Sequence, residues 1–466
     1  MIPYSEDPSI TVYITNYNYG KFIRQSIESV LSQTRKDFEL IIIDDGSIDN
    51  SRNIIEEYQS HPQIQIIFQQ NKGLNVTNNI ALRAARGRYI VRLDADDFFR
   101  EDALEKLAYA LDSDSELGLV FPDYYYVDEQ GEILEEFKRH NFKEEVSLLD
   151  QAAHGACTMI RTDFLKKLGG YNESFSCQDG YELWVKFTAN YKVANVGFPL
   201  FYYRRHGSNL THNETRILST RARINQLYST NRFGNIRSVA IIPVRDDKIA
   251  LRTLGDKALL QYKIDAALQS KSVEKVVISS TLDSIARLIA SEYDDNAKVV
   301  FHKRVSALER LNVPLAATAR AILNDFYSTK NFPEAIIMLT IEFPFTASYI
   351  IDDAVNTLFL FESDSLIGVR QEGRMFFQHL GNGMHPILDQ DKIIKLEREA
   401  LYTQAGGITV TRTDRFQESE KLLTGKIGHI MVDQLSAFGL FSDFDFQLAE
   451  LLVKQQMFLP EHKVIA

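Results

Sequence analysis

Hydrophobic and polar positions along this chain fall into two series. Each opens with a short apolar strand followed by a polar turn and a helix, the first at Ile10–Ile14 and the second at Val239–Ile242. In the first series, Phe22, Ile23, Ile27, Val30 and Leu31 recur at helical spacing, which predicts an amphipathic helix. Glu39-Leu-Ile-Ile-Ile43 then reads as a strand buried on both faces, and it ends in Asp44-Asp45-Gly46-Ser47. A second such strand, Gly87-Arg-Tyr-Ile-Val-Arg-Leu93, ends in Asp94-Ala95-Asp96-Asp97. Two strands of an open α/β sheet thus carry acidic clusters at their carboxyl ends, the edge where ligands bind in such sheets. Ser, Asn and Gly residues within Gln226–Arg237 predict a connection near 230–237.

Length agrees with this division. The 466 residues and 53.3 kDa allow about two to four domains. We expect two α/β domains, 1–232 and 238–466, both Rossmann-like. Hydrophobic residues at 45% and charged residues at 25% are ordinary for a globular protein, and 29 Phe with 21 Tyr exclude bulk disorder. A net charge of −11 argues against a general nucleic-acid binder, which needs a basic face. Cys157 and Cys177 are too few for a disulfide scaffold or a cysteine-rich zinc site. Met1–Asp7 lacks the basic and apolar regions of a signal peptide, and no run reaches the roughly 18 apolar residues of a bilayer span. The expected location is the cytoplasm. The Asn-x-Ser/Thr triplets at Asn75, Asn172, Asn209 and Asn213 are read as chance.

The acidic clusters suit nucleotide-sugar chemistry. Asp44 and Asp45 are placed to accept from ribose hydroxyls or a base N–H, and Asp96, with Asp94 or Asp97, offers hard oxygens to Mg²⁺ or Mn²⁺. The same residues also serve as ordinary turn chemistry at strand ends. Asp179, ahead of Tyr181-Glu-Leu-Trp184, reads either as a general base or as a helix N-cap. Arg204-Arg205-His206 follows a strand and reads either as a diphosphate and metal contact or as a solvated surface loop.

Taken in order, these segments resemble the family 2 glycosyltransferases, inverting enzymes of the GT-A fold. The resemblance spans about residues 9–212. It rests on Thr15-Asn-Tyr-Asn-Tyr-Gly20, Asp44-Asp-Gly-Ser47, Asp94-Ala-Asp-Asp97, Gly155–Arg161 with Gly169–Glu173, Gln178-Asp179-Gly-Tyr-Glu-Leu-Trp184 and Tyr203-Arg204-Arg-His206. It implies donor contacts at Thr15, Tyr17, Asp44, Asp45, Asp94 and Arg204, a divalent cation on Asp96 and His206, and Asp179 as catalytic base. The implied partners are a nucleoside-diphosphate sugar, with UDP favoured, and a glycan, lipid-linked or protein acceptor. A lipid-linked acceptor would be met at the membrane surface. Gln178 stands where the family often has Glu, which removes a carboxylate beside the presumed base.

The second half resembles the cytidylyltransferases that make CMP-linked acidic sugars. Ala240-Ile-Ile-Pro-Val-Arg245, Leu254–Leu260, Val276–Ser280, Gly406–Val410 and Asp445–Glu450 carry the likeness. The family follows its Pro-x-Arg with a glycine-bearing turn that approaches the triphosphate; here Asp246-Asp247-Lys248 stands instead. Glu342-Phe343-Pro344 replaces a Thr-Ser-Pro segment, and Gly439 and Phe441 fall where the family has metal-binding Asp residues. These departures point to lost catalysis. Arg245, Lys248 and Lys257 are either residual nucleotide contacts or surface cations. The family's dimers imply a homodimer through Gly368–Gly381, burying Phe376, Phe377 and Leu380 between chains. A bifunctional enzyme and a non-catalytic sugar-nucleotide-binding scaffold are the competing readings.

Overall fold

The structure is a computed structural model that describes residues 7–138, 155–206, 214–308, 313–328, 331–372, 374, 376–379, 381, 383–387 and 401–455. Asn209, Asn213 and Leu380 lie outside them. The chain divides into two compact units, Met1–Asn213 and Glu214–Ala466.

The first unit runs β1 (Ile10–Asn16), α1 (Ile23–Leu31), β2 (Phe38–Asp44), α2 (Ser51–Glu56), β3 (Ile64–Phe68), α3 (Leu74–Ala84), β4 (Tyr89–Asp94), β5 (Phe98–Phe99), α4 (Ala103–Ser113), β6 (Leu117–Val127), β7 (Ile133–Phe137), β8 (Met159–Arg161), α5 (Thr162–Lys167), α6 (Asp179–Thr188) and β9 (Lys192–Arg204). The strands form one sheet in the order β3-β2-β1-β4-β8-β6-β9-β5, with β7 on β6. β2 is buried along its whole length, as its apolar run predicts. Leu40 and Ile42 pack under α1 and α4, whereas Ile41 and Ile43 pack under α3 and α6. Each such residue contributes about 1.5–3 kcal/mol relative to exposure. Because both faces are apolar, burial alone does not choose the register. Polar pairs at the two ends do: Thr11 Oγ1 donates to Glu39 at 2.6 Å and Asn16 Nδ2 to Asp44 at 2.7 Å, each pair directly opposite.

The second unit holds a seven-stranded sheet. Val299–Lys303, Val273–Ser280, Ser238–Pro243 and Ala335–Leu339 lie parallel; Leu401–Arg412 is antiparallel to its neighbours, and Ser365–Glu372 and Ile427–Met431 follow. Two Rossmann-like α/β units are thus present. The boundary differs from the expected one. The helix Glu214–Phe233 packs on the helix Ser348–Leu360, where Asn225 Nδ2 donates to Asp353 Oδ1 at 2.8 Å and Thr357 Oγ1 at 3.0 Å. Residues 230–233, read as the start of a connection, are therefore helical. The buried face includes Thr220, Asn225 and Ser229, so hydrophobic periodicity does not reveal it.

Candidate active site

The carboxyl edge of the first sheet gathers most of the candidate residues. Register sets Asn16 beside Asp44 and Thr15 beside Asp94, so the ends of β1, β2 and β4 lie level. Thr15 Oγ1 is 3.5 Å from Asp94, and Tyr17 is exposed just beyond. Asn18, at φ 62°, turns the chain there; its N–H donates to Ser47 Oγ at 2.8 Å and its side chain accepts from Ile48 N–H at 2.8 Å.

The two carboxylates after β2 hold loops. Asp44 is wholly enclosed and accepts from Asn16 and from the Ser47 N–H at 3.1 Å. Asp44, expected as a nucleoside contact, here closes the Asp45–Ser47 turn. Asp45 accepts from Gln69 Nε2 at 2.7 Å and from the N–H groups of Lys72 and Gly73 at 2.8 and 2.9 Å, fixing the approach to α3.

The turn after β4 concentrates charge. Asp96 Oδ2 lies 2.9 Å from His206 Nε2, whose ring stacks on Phe22 and meets the edge of Tyr19. Burial pushes the Asp94 carboxyl up to about 6, with Arg92 opposing and Asp96 and Asp179 adding repulsion. Burial, then Asp96 and Asp94, also raises the Asp97 carboxyl well above the usual carboxylate range. Asp97 Oδ1 accepts from the Arg204 N–H, while its Oδ2 is buried with no hydrogen-bond partner among the described residues. A divalent cation fits this donor set, since it would offset the burial and the mutual repulsion that together push protons onto Asp94 and Asp97. Among the described residues no three acidic, His or Cys side chains form a complete metal centre. Asp96 and His206 would supply two ligands, leaving the remaining positions to ligand oxygens and water.

Asp179 opens α6 but does not cap it. The N-cap is Gln178, at φ 64°, without a capping side-chain hydrogen bond. Asp179 instead pairs with the Arg92 guanidinium, which also meets Asp94 at 2.9 Å. Burial opposes the charge on Arg92, but Asp179 and Asp94 hold it protonated. Trp184, one turn on, lies in the core and edges against Phe121.

Arg204 departs from expectation. It is 1% exposed, and its guanidinium donates to the carbonyls of Asp96 (2.8 Å) and Glu129 (2.8 Å) and to Gln25 (2.6 Å). It stacks over Phe22 and Phe98 and so braces the acidic turn from behind, having no open face for a diphosphate. Its exposed neighbour Arg205 lies 3.5 Å above the Tyr126 ring. In the second unit, Lys257 is tied to Asp265 at 2.5 Å, Arg245 donates to the Val313 carbonyl at 3.2 Å, and Lys248 is exposed. Asp247 accepts from Ser284, and Phe441 packs edge-on against Phe343.

Arg92 is the site residue that the pattern of strand ends overlooked. The signal was present: a cation in the middle of a run buried on both faces needs a buried counter-charge. Tyr13 and Tyr171, whose hydroxyls meet at 2.9 Å beside this pair, gave no comparable sign.

Comparison with known proteins agrees with both halves. The model of Glycosyl transferase family 2 matches residues 11–169, and that of Cytidylyltransferase matches residues 247–404. The chain is 34% identical over 214 residues to the uncharacterized glycosyltransferase MJ1057 of Methanocaldococcus jannaschii, covering 44% of this chain and 73% of that protein. It is 30% identical over 203 residues to the chondroitin synthase of Escherichia coli, covering 43% of this chain but only 30% of the synthase. The solved structure of S. aureus TarS 1–349 with UDP-GlcNAc aligns at a TM-score of 0.41 and 19% identity, over 48% of this chain and 67% of that one, a likeness that bears on neither mechanism nor substrate.

Proposed function

From the premise that this chain belongs, through its first unit, to glycosyltransferase family 2, we propose that it transfers a sugar from a nucleoside diphosphate, UDP by resemblance, to a hydroxyl of a surface glycan or glycosylated protein, with inversion. The observation that carries the reading is the convergence of Asp96–His206 and Asp94–Arg92–Asp179 on one sheet edge. Asp179 accepts the acceptor's hydroxyl proton, the freed oxygen bonds to the anomeric carbon, and the bond from that carbon to the diphosphate oxygen breaks. Asp96 and His206 would hold a divalent cation, which would supply charge neutralisation for a diphosphate leaving group. Asp45 and Tyr17 line the nucleoside side, and Arg204 holds the acidic turn in shape. The chondroitin synthase relative supports a glycan acceptor.

Calorimetry with UDP, GDP, dTDP and CDP, each with and without Mn²⁺, tests this. One diphosphate should bind only with Mn²⁺, and Asp96→Ala should abolish that binding. Binding that ignores both the metal and Asp96 would overturn the metal assignment; no binding of any diphosphate would overturn the transferase reading. For the second unit we propose a non-catalytic role in dimerisation or docking, supported by the committed Lys257 and by the carboxylates of the Asp246–Asp247 turn. The match to Cytidylyltransferase favours a bifunctional enzyme as second reading.

A further inference from the structure

Arg92 lies on β4, and the two-residue period of a strand puts its side chain on the face shared with Ile90, beneath α6. The same period turns Asp94 to that face. A guanidinium at this depth is costly unless it is paired. It is paired twice: with Asp94 on its own strand and with Asp179, the first residue of α6. Gly155 completes the fit. A Cβ there would stand 2.5 Å from Arg92 Nη2 and 3.2 Å from Asp179 Oδ2, so only glycine lets the backbone pass over the pair. The charged and titratable groups facing Asp179 are Arg92 and Asp94 from β4, Tyr13 from β1 and Tyr171 from the segment before α6. Arg92 is the cation among them.

We propose that Arg92 is a positioning residue for the transfer reaction. Its planar fork joins the base Asp179 to Asp94 on the donor side, keeping the base aimed at the reacting hydroxyl. This rests on the reading of Asp179 as base. A fork matters because a guanidinium reaches two carboxylates in fixed directions, whereas an ammonium is a single point charge. Arg92 touches no reacting atom; it acts through the carboxylate it holds.

The test uses the full chain with Mn²⁺ and follows UDP release from UDP-glucose, UDP-galactose and UDP-N-acetylglucosamine with water as acceptor. Arg92→Met should lower kcat by roughly 10²-fold, the low end of what general-base catalysis contributes. The donor KM and the calorimetric affinity for UDP should stay within about threefold, since neither measures the base. Arg92→Lys restores charge without the fork, so it should recover only part of kcat. That variant keeps the question answerable if Arg92→Met does not fold. Asp179→Asn separates the two ideas. A wild type inert on all three donors, or Asp179→Asn as active as wild type, removes the base reading and this inference with it. Asp179→Asn inactive while both Arg92 variants match wild type in kcat overturns the inference alone. A fall in UDP affinity that accounts for the whole loss also overturns it, by making Arg92 a donor-site residue.

Discussion

Asp353 shows how one buried carboxylate sets a pH dependence. It accepts from Asn225 and Thr357 between two helices of the second unit, yet burial pushes its carboxyl up to about 6. The folded chain therefore holds that proton more tightly than the unfolded chain does. Its stabilising contribution is complete below the unfolded value of about 4 and is lost as pH rises through 6. Asp353→Asn keeps an acceptor oxygen for both donors and removes the charge. It should stabilise the protein by about 1–2 kcal/mol near neutral pH and by almost nothing near pH 4. Equal melting shifts at the two pH values would mean that the carboxylate is not desolvated. Lys263 has the opposite sign: burial lowers its ammonium to about 7 against the pull of Glu342. Its contribution is present at high pH and is lost as pH falls through 7.

Among the elements, β4 and α6 carry the most consequence, because one aims Arg92 and the other starts at Asp179. α6 is seated by Leu183, Trp184 and Phe187 in the core it shares with Phe121 and Ile160. The lone tryptophan is therefore a packing residue, and its ring anchors the helix that carries the presumed base. The Gly155 passage joins the two elements. Gly155→Ala must displace a guanidinium that two carboxylates hold, so it cannot relax as a free side-chain end would. Activity should fall about tenfold, equivalent to about 1.4 kcal/mol, with UDP affinity unchanged. Unaltered turnover in this variant would show that the Arg92–Asp179 geometry is not critical. Elsewhere in the sheet, Thr11–Glu39 and Asn16–Asp44 do for register what hydrophobic patterning cannot, and they hold the ends of β1 and β2 level.

Across the whole molecule, two α/β units share one chain, and no helix among the described residues is long and apolar enough to cross a membrane. In the second unit, the strands Phe377–His379 and Met384–Pro386 pair as a ribbon on which Phe377, Met384 and the adjoining Ile387 are exposed. Such a ribbon supports the proposed homodimer through this region. Light scattering should give twice the 53.3 kDa chain mass, and Phe377→Asp with Met384→Asp should return it to one. A clean wild-type monomer would end the dimer proposal. Incubation with CTP, Mg²⁺ and a nonulosonic acid should release no pyrophosphate. Release would replace the non-catalytic reading with the bifunctional one.

The sequence by itself determined the two α/β halves, the strands ending in Asp44-Asp45 and Asp94–Asp97, and the helix opening at Asp179. Apolar runs and polar strand ends are local patterns, and burial on two faces leaves few other structures for them. It also exposed the mismatches in the second half, because they are matters of residue identity. Only the tertiary structure decided which carboxylates are open and which are spent. Asp44 and Asp179 are both acidic residues at element ends, but one closes a turn and the other meets a cation that lies 87 residues away along the chain. Arg204 read as a ligand contact until its donors were seen turned onto carbonyls at its back. The helix Glu214–Phe233 joined the second unit because polar groups, matched only in three dimensions, hold it there. Pairing energies depend on distance and desolvation, and neither is written in the order of residues.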